Sequence, residues 1–262
     1  MKAMRSGLLS MLLCGALVTP AHSADYVWGF ADMNVNWLDW TSDTEVDSGG
    51  FKEDFYYLEI EGGAGFDWGD VYMFFDMENT FEGNDSQTAE DGSQFQGNGS
   101  FRIAAKISGG YNIYNSWQLY AQSYYAIGNG FYDSTNVFGL RYGIFTDYGF
   151  WMKPFLGLNY TRTQDWTGVN GGILGWVFGY DFTMGEQRFS ISNWHETEFS
   201  RDDGYGGSGS ERESLGHNGA LAFWWHLPNS PLTTGIQYRY FENKLGQDGY
   251  GDAIIYSLKY NF

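Results

Sequence analysis

Ile254-Ile255-Tyr256-Ser257-Leu258-Lys259-Tyr260-Asn261-Phe262 is the stretch on which the fold reading turns. Every second residue, Ile254, Tyr256, Leu258, Tyr260 and Phe262, is apolar or aromatic, and the residues between are mixed. Successive side chains of a strand point to opposite faces, so this is one apolar face and one mixed face. A soluble sandwich also makes alternating strands, but has no reason to finish on Phe. A strand that closes a barrel in a membrane presents such a face to lipid up to its last residue.

Working back from that end, the period of two recurs. Val27, Ala31, Met33, Val35 and Trp37 alternate with Trp28, Phe30, Asp32, Asn34 and Asn36. Tyr56, Leu58 and Ile60 alternate with Glu59 and Glu61; Val71, Met73, Phe75 and Met77 alternate with Tyr72, Phe74, Asp76 and Glu78. Similar segments follow at 101–108, 117–124, 138–144, 150–160, 174–182, 189–191, 221–227 and 236–240. Twelve segments result, each long enough for the roughly 9–11 residues of a tilted membrane-crossing strand. The opposite parity is persistently polar, so no second apolar face offers a soluble core. The expectation is all-β: a twelve-stranded antiparallel transmembrane β-barrel of the outer-membrane type, whose closure satisfies every backbone group in lipid.

Connections alternate in character. Those at 41–52, 82–99, 128–134, 163–168, 200–216 and 242–252 read as long outer loops rich in Gly, Asp, Glu, Ser and Asn. Those near 67–69, 109–115, 146–148, 183–186 and 228–231 read as short periplasmic turns.

Composition agrees. The 262 residues hold 11 Trp, 20 Tyr, 21 Phe and 37 Gly with only 4 Pro, which excludes a disordered chain and suits strands. The formal net charge of −18 disfavours binding nucleic acid through phosphates. The domain reading is a signal peptide over 1–23 and a single barrel over 24–262. Lys2 and Arg5, an apolar run from Leu8 to Val18, and Ala21-His22-Ser23 before Ala24 make the secretory pattern. Cys14 is the sole cysteine and lies inside that segment, so the exported chain has no disulfide.

Parity assigns Arg102, Lys106, Arg141, Lys153, Arg188, Arg239 and Lys259 to the lumen. Asp32, Glu59, Glu61, Asp76, Glu78 and Glu196 share it. Mixed charge admits two readings: ion pairs that fill a narrow barrel, or a water-filled polar passage. Inward rings are Tyr26, Trp28, Phe30, Tyr72, Phe74, Tyr120, Tyr124, Trp194, Trp224 and Phe241. For Tyr26, Trp28 and Trp40, near strand ends, an interfacial girdle is expected; Tyr72, Phe74, Tyr120 and Tyr124 are expected in the lumen. Flat rings beside carboxylates suit a flat, uncharged, hydroxylated solute: rings stack on bases, and carboxylates accept from ribose hydroxyls.

Other chemistry is thin. His195, His217 and His226 lack metal-ligand spacing, and no local motif assembles Ser-His-Asp catalysis, so neither enzyme activity nor a cofactor is expected. Asp248-Gly249-Tyr250-Gly251-Asp252 reads as an Asp-Gly turn before it reads as a cation loop. The acidic outer loops meet the divalent-cation layer of lipopolysaccharide or remain solvated.

Tyr57-Leu58-Glu59-Ile60-Glu61, then Phe66-Asp67-Trp68-Gly69-Asp70-Val71-Tyr72 with Phe74 and Asp76, resembles a signature of the Tsx/OmpK family of nucleoside-specific channel-forming outer-membrane proteins. Weaker likenesses lie at Phe101 with Lys106 and Ser108, Trp166-x-Gly168, Arg239-Tyr240-Phe241 and Tyr260-Asn261-Phe262. Lys106 stands where the family tends to Arg, and Phe241 where Trp is common. The resemblance implies a monomeric barrel with a narrow, aromatic-lined nucleoside passage in the outer membrane; some members serve as bacteriophage receptors. The terminal Phe262 is the feature read by the outer-membrane assembly machinery. Glu59, Glu61, Tyr72, Phe74, Asp76, Arg102, Lys106, Tyr120, Tyr124, Arg239 and Phe241 are the candidate substrate-binding residues of the lumen. Competing functions are a non-selective or cation-preferring pore, suggested by net acidity, and a non-conducting surface barrel.

Overall fold

The computed structural model describes residues 24–50, 52–80, 87–88, 94–95, 101–128, 131–205 and 213–262. The expected signal peptide, with Cys14, lies outside the described residues. Twelve long strands follow in chain order: β1 (Tyr26–Trp40), β2 (Phe55–Phe66), β3 (Gly69–Glu78), β4 (Arg102–Tyr114), β5 (Trp117–Gly128), β6 (Phe131–Tyr142), β7 (Phe150–Thr163), β8 (Thr167–Met184), β9 (Gln187–Phe199), β10 (Leu215–His226), β11 (Leu232–Lys244) and β12 (Gln247–Asn261). Each pairs antiparallel with its chain neighbours, and β12 pairs back onto β1 from Asp32↔Asn261 to Trp40↔Ala253. The Phe262 amide donates to the Ala31 carbonyl at 3.0 Å, so the ring is sealed to the last residue.

The even strand count puts both chain ends at one rim, the turn end. The connections that follow β1, β3 and β9 leave their strands at the other, the loop end. One short helix, α1 (Ser42–Asp47), sits there. Thr41 caps it, and the Thr41 hydroxyl donates to Asp252 Oδ1 at 2.6 Å, tying the helix to β12.

Several expected connections are corrected, and the outer loops expected over 128–134 and 163–168 close between Gly128 and Phe131 and between Thr163 and Thr167. The loop over 242–252 is a two-residue turn, Leu245-Gly246, and Asp248 to Asp252 belong to β12. The turn over 109–115 narrows to Asn115-Ser116, and the turn at 67–69 to Asp67-Trp68.

The outer face carries Met33, Val35, Ile60, Met73, Phe75, Leu156, Leu158, Leu221 and Leu258, all exposed. In water a band of this extent drives aggregation; around a closed barrel it is the lipid-facing surface. Rings flank it near the turn end, where Trp68 stacks between Phe66 at 5.1 Å and Tyr111 at 6.5 Å.

The inner face is more apolar than the persistently polar parity with inward rings that the sequence suggests. Leu38, Trp40, Phe55, Phe241, Ala253 and Ile255 form one buried apolar cluster toward the loop end, and Tyr120, Val137, Phe155 and Ile173 form another. Trp40, expected in a girdle, therefore points inward, with its ring 5.9 Å from Phe241. A barrel of this size is narrow enough for side chains to meet across it, so its interior is partly a packed core.

Candidate functional site: a ring-lined lumen

Registers fix which side chains share the interior. Asp32 pairs with Glu61, Asn34 with Glu59, and Asn36 with Tyr57; on the next strand Glu61 faces Phe74, Glu59 faces Asp76, and Gly63 faces Tyr72. Beyond that, Phe74 pairs with Lys106, and Lys106 with Tyr124. One inward parity thus collects the residues the sequence nominated from four different strands.

The rings form a ladder. Trp28 stacks on Phe30 at 6.5 Å with planes 9° apart, Phe30 lies 6.3 Å from Tyr72, Tyr72 lies 6.4 Å from Phe74, and Phe74 lies 6.4 Å from Tyr124. It starts near the turn end and climbs across β1 and β3 to β5. Gly63 and Gly65 on β2 leave the space: a Cβ on Gly65 would come within 2.0 Å of the Trp28 ring, and one on Gly63 within 2.8 Å of Phe30. Trp28 therefore belongs to the lumen, not to a girdle, and the Lys153 ammonium sits 5.2 Å over it.

Carboxylates border the ladder. The Tyr72 hydroxyl donates to Glu61 at 2.8 Å, and Glu61 also pairs with Lys259. Glu59 accepts from Asn34 at 3.0 Å and Asn36 at 3.1 Å. Arg102 pairs with Glu78. Among the described residues Asp76 makes no ion pair, and its Oδ1 is buried without a hydrogen-bond partner. Arg239 likewise makes no ion pair there; its guanidinium donates to the Gly219 carbonyl at 2.9 Å and lies 4.6 Å from the Trp194 ring. Asp76 and Arg239 are thus without an ion-pair partner among the described residues, while Lys106, Arg102 and Glu61 are engaged. Neither Arg102 nor Lys106 takes Glu59 or Glu61 as its partner.

Other nominated side chains sit elsewhere. Tyr120 is 4% exposed and stacks on Phe155 at 4.6 Å, and Phe241 is 0% exposed in the loop-end cluster, so both are packed in the wall. Arg188 keeps the inward parity but lies at the rim, exposed, 3.2 Å from Asp181.

Ion pairs cross the lumen as chords. Asp70 on β3 holds Arg141 on β6 at 2.6 Å and Lys153 on β7 at 3.1 Å. Lys106 on β4 reaches Glu196 on β9 at 2.9 Å, and Gln122 on β5 donates to the same carboxylate oxygen at 2.9 Å. Glu198 binds Arg201 at 2.7 Å and also Lys244 toward the loop end. Parity reasoning missed Arg201 and Lys52, because both lie in connections where no period applies. The Lys52 ammonium donates to the Leu245 carbonyl at 2.6 Å and covers Phe241 at 5.5 Å.

With strands, lumen and girdle rings in place, the sequence itself matches the family described as nucleoside-specific channel-forming protein, Tsx, over residues 35–262. The chain belongs to that family. It is an outer-membrane channel of Gram-negative type. Among solved structures it is similar to the NanC porin in a rhombohedral crystal form, with 10% identity, TM-score 0.49, and coverage of 88% of this chain and 100% of that one. It is also similar to the outer membrane channel DcaP of Acinetobacter baumannii, with 12% identity, TM-score 0.35, and coverage of 91% and 97%. A third is OpdK of Pseudomonas aeruginosa with vanillate, at 8% identity, TM-score 0.33, and coverage of 89% and 98%. The architecture described above rests on this chain's own strand ring.

Proposed function

We propose that this channel passes nucleosides selectively and passively. The observation that carries the reading is the ring ladder from Trp28 to Tyr124 with the unpaired Asp76 beside it. A base slides from one ring face to the next, and its ribose hydroxyls donate to Asp76 and to the free lone pairs of Glu59. The Arg239 guanidinium, held over Trp194, is placed to donate to base carbonyls or ring nitrogens. A stacked base gains roughly 1–3 kcal/mol per ring. One or two rings at a time therefore give weak binding, about millimolar, and weak multi-site binding is what lets a channel release what it captures. The family description supports the same solute class.

The test is uptake into proteoliposomes of a nucleoside and of a sugar of similar size. Tyr72→Ala with Phe74→Ala should abolish saturation for the nucleoside and leave sugar flux equal or higher. A parallel rise of both fluxes would mean that the rings only narrow the pore.

A further inference from the structure

The Lys106–Glu196 chord has a consequence for what fits through the barrel. β4 and β9 are separated by four strands on one side of the ring and six on the other, so their inward side chains meet only by crossing the lumen. The ammonium and carboxylate meet at 2.9 Å with 17% and 12% of their side chains exposed. The chord is braced: Gln122 donates to the same Glu196 oxygen at 2.9 Å, and the Tyr120 hydroxyl donates to Gln122 at 2.7 Å.

The two compartments it separates differ in kind. On the β5–β8 side, Tyr120, Val137, Phe155 and Ile173 are 4%, 3%, 5% and 0% exposed, with Asn159 at 0% beside them, so this side is packed. The other compartment is packed toward the loop end by Trp40, Phe55 and Phe241, and below that cluster it holds the partly exposed Phe74, Asp76 and Arg239. The Lys106 and Glu196 side chains stand between the packed β5–β8 side and these partly exposed residues.

We propose that the Lys106–Glu196 pair is a positioning strut that sets the size limit of the channel. It keeps a transiting solute against the ladder and excludes molecules wider than the remaining passage. Lys106 thus acts through its partner rather than by binding substrate. The inference rests on the barrel being a channel and not on which solute it prefers.

Neutral sugars of increasing size, from mono- to trisaccharide, are the probe, measured by proteoliposome swelling beside a nucleoside. Lys106→Ala and Glu196→Ala each remove half of the strut. The conservative Lys106→Met and Glu196→Gln break the ion pair while keeping bulk, and serve if an alanine variant does not fold. Heat-modified gel mobility identifies folded barrels. Each folded single alanine variant should raise trisaccharide flux relative to monosaccharide at least fivefold. The exchanged pair, Lys106→Glu with Glu196→Lys, should return it to within twofold of the native ratio. Arg188→Gln, at the rim, should leave the ratio unchanged. An unaltered size ratio in folded single variants, with either substitution set, would overturn the proposal, as would an exchanged pair that leaks like the single variants. Nucleoside saturation that fails in the native protein while the size ratio behaves as expected would refute the nucleoside reading alone.

Discussion

At the scale of single residues, Asp70 shows how charge is managed in a barrel that is half filled. Its two oxygens accept from Arg141 at 2.6 and 2.7 Å, and Lys153 and Gln118 approach at 3.1 and 3.3 Å. Two cations converge on one buried carboxylate, so removing it leaves both unpaired. Breaking a buried pair from one side costs about 3–5 kcal/mol. Asp70→Ala should therefore lower the unfolding free energy, read from urea melts of the detergent-solubilised barrel, by an amount in that range. An unfolding free energy within about 0.5 kcal/mol of the native one would mean that water replaces the carboxylate. Asp76, by contrast, has no ion pair to lose among the described residues. Asp76→Asn should leave stability close to native and weaken nucleoside saturation, read in the same uptake assay. Alternation alone gives the inward direction of Glu59, Glu61, Tyr72, Phe74 and Asp76. At Tyr120 and Phe241 parity gives the inward side as well, but not the distance to the opposite wall, and both rings are packed there.

At the scale of elements, the glycines account for both the misread connections and the ladder. Gly109-Gly110 resembles a turn, yet both lie in β4. A Cβ on Gly110 would meet Arg141 Nη2 at 2.2 Å and Gln118 Oε1 at 2.7 Å, so glycine there clears room for the Asp70 cluster. Gly251 does the same for Phe241, whose ring would lie 2.3 Å from an added Cβ. Gly-rich sequence in this chain thus marks close packing inside the barrel as often as chain reversal, a difference that local sequence does not carry. Gly171 is a third case. Its φ of +66° forms a bulge where the β7–β8 register shifts, and an added Cβ would sit 2.1 Å from the Phe199 carbonyl oxygen. Backbone strain of this kind costs about 1–3 kcal/mol, before the clash is relieved. Gly171→Ala should lower the thermal midpoint while the folded form retains strand-type circular dichroism. An unchanged midpoint would show that the bulge relaxes freely. On β2, Gly65→Val should displace Trp28 from its stack on Phe30 and impair nucleoside flux more than monosaccharide flux. Equal losses would place Trp28 outside the path.

At the scale of the whole molecule, closure is the governing constraint. β12 must find β1, and the seam is completed by the Phe262 amide on the Ala31 carbonyl. Deleting Phe262 should reduce outer-membrane yield several-fold more than Asp203→Ala, a loop substitution; equal yields would contradict the role assigned to the terminus. Closure also explains why strand number and both faces of the wall were legible from a period of two. The lumen was not, because its filling depends on pairs such as Lys106 with Glu196 and Asp70 with Lys153, whose partners are far apart in sequence.

The central claim is that one eccentric, ring-lined passage runs through this barrel and holds nucleosides weakly as they pass. Single-channel current across a planar bilayer, recorded while a nucleoside is added in graded steps, tests it most directly. Ionic current should fall saturably with nucleoside concentration, at about the millimolar level expected of one or two stacked rings. The same molarity of a monosaccharide should leave the current nearly unchanged. A current that stays ohmic and indifferent to nucleoside up to its solubility would contradict the account.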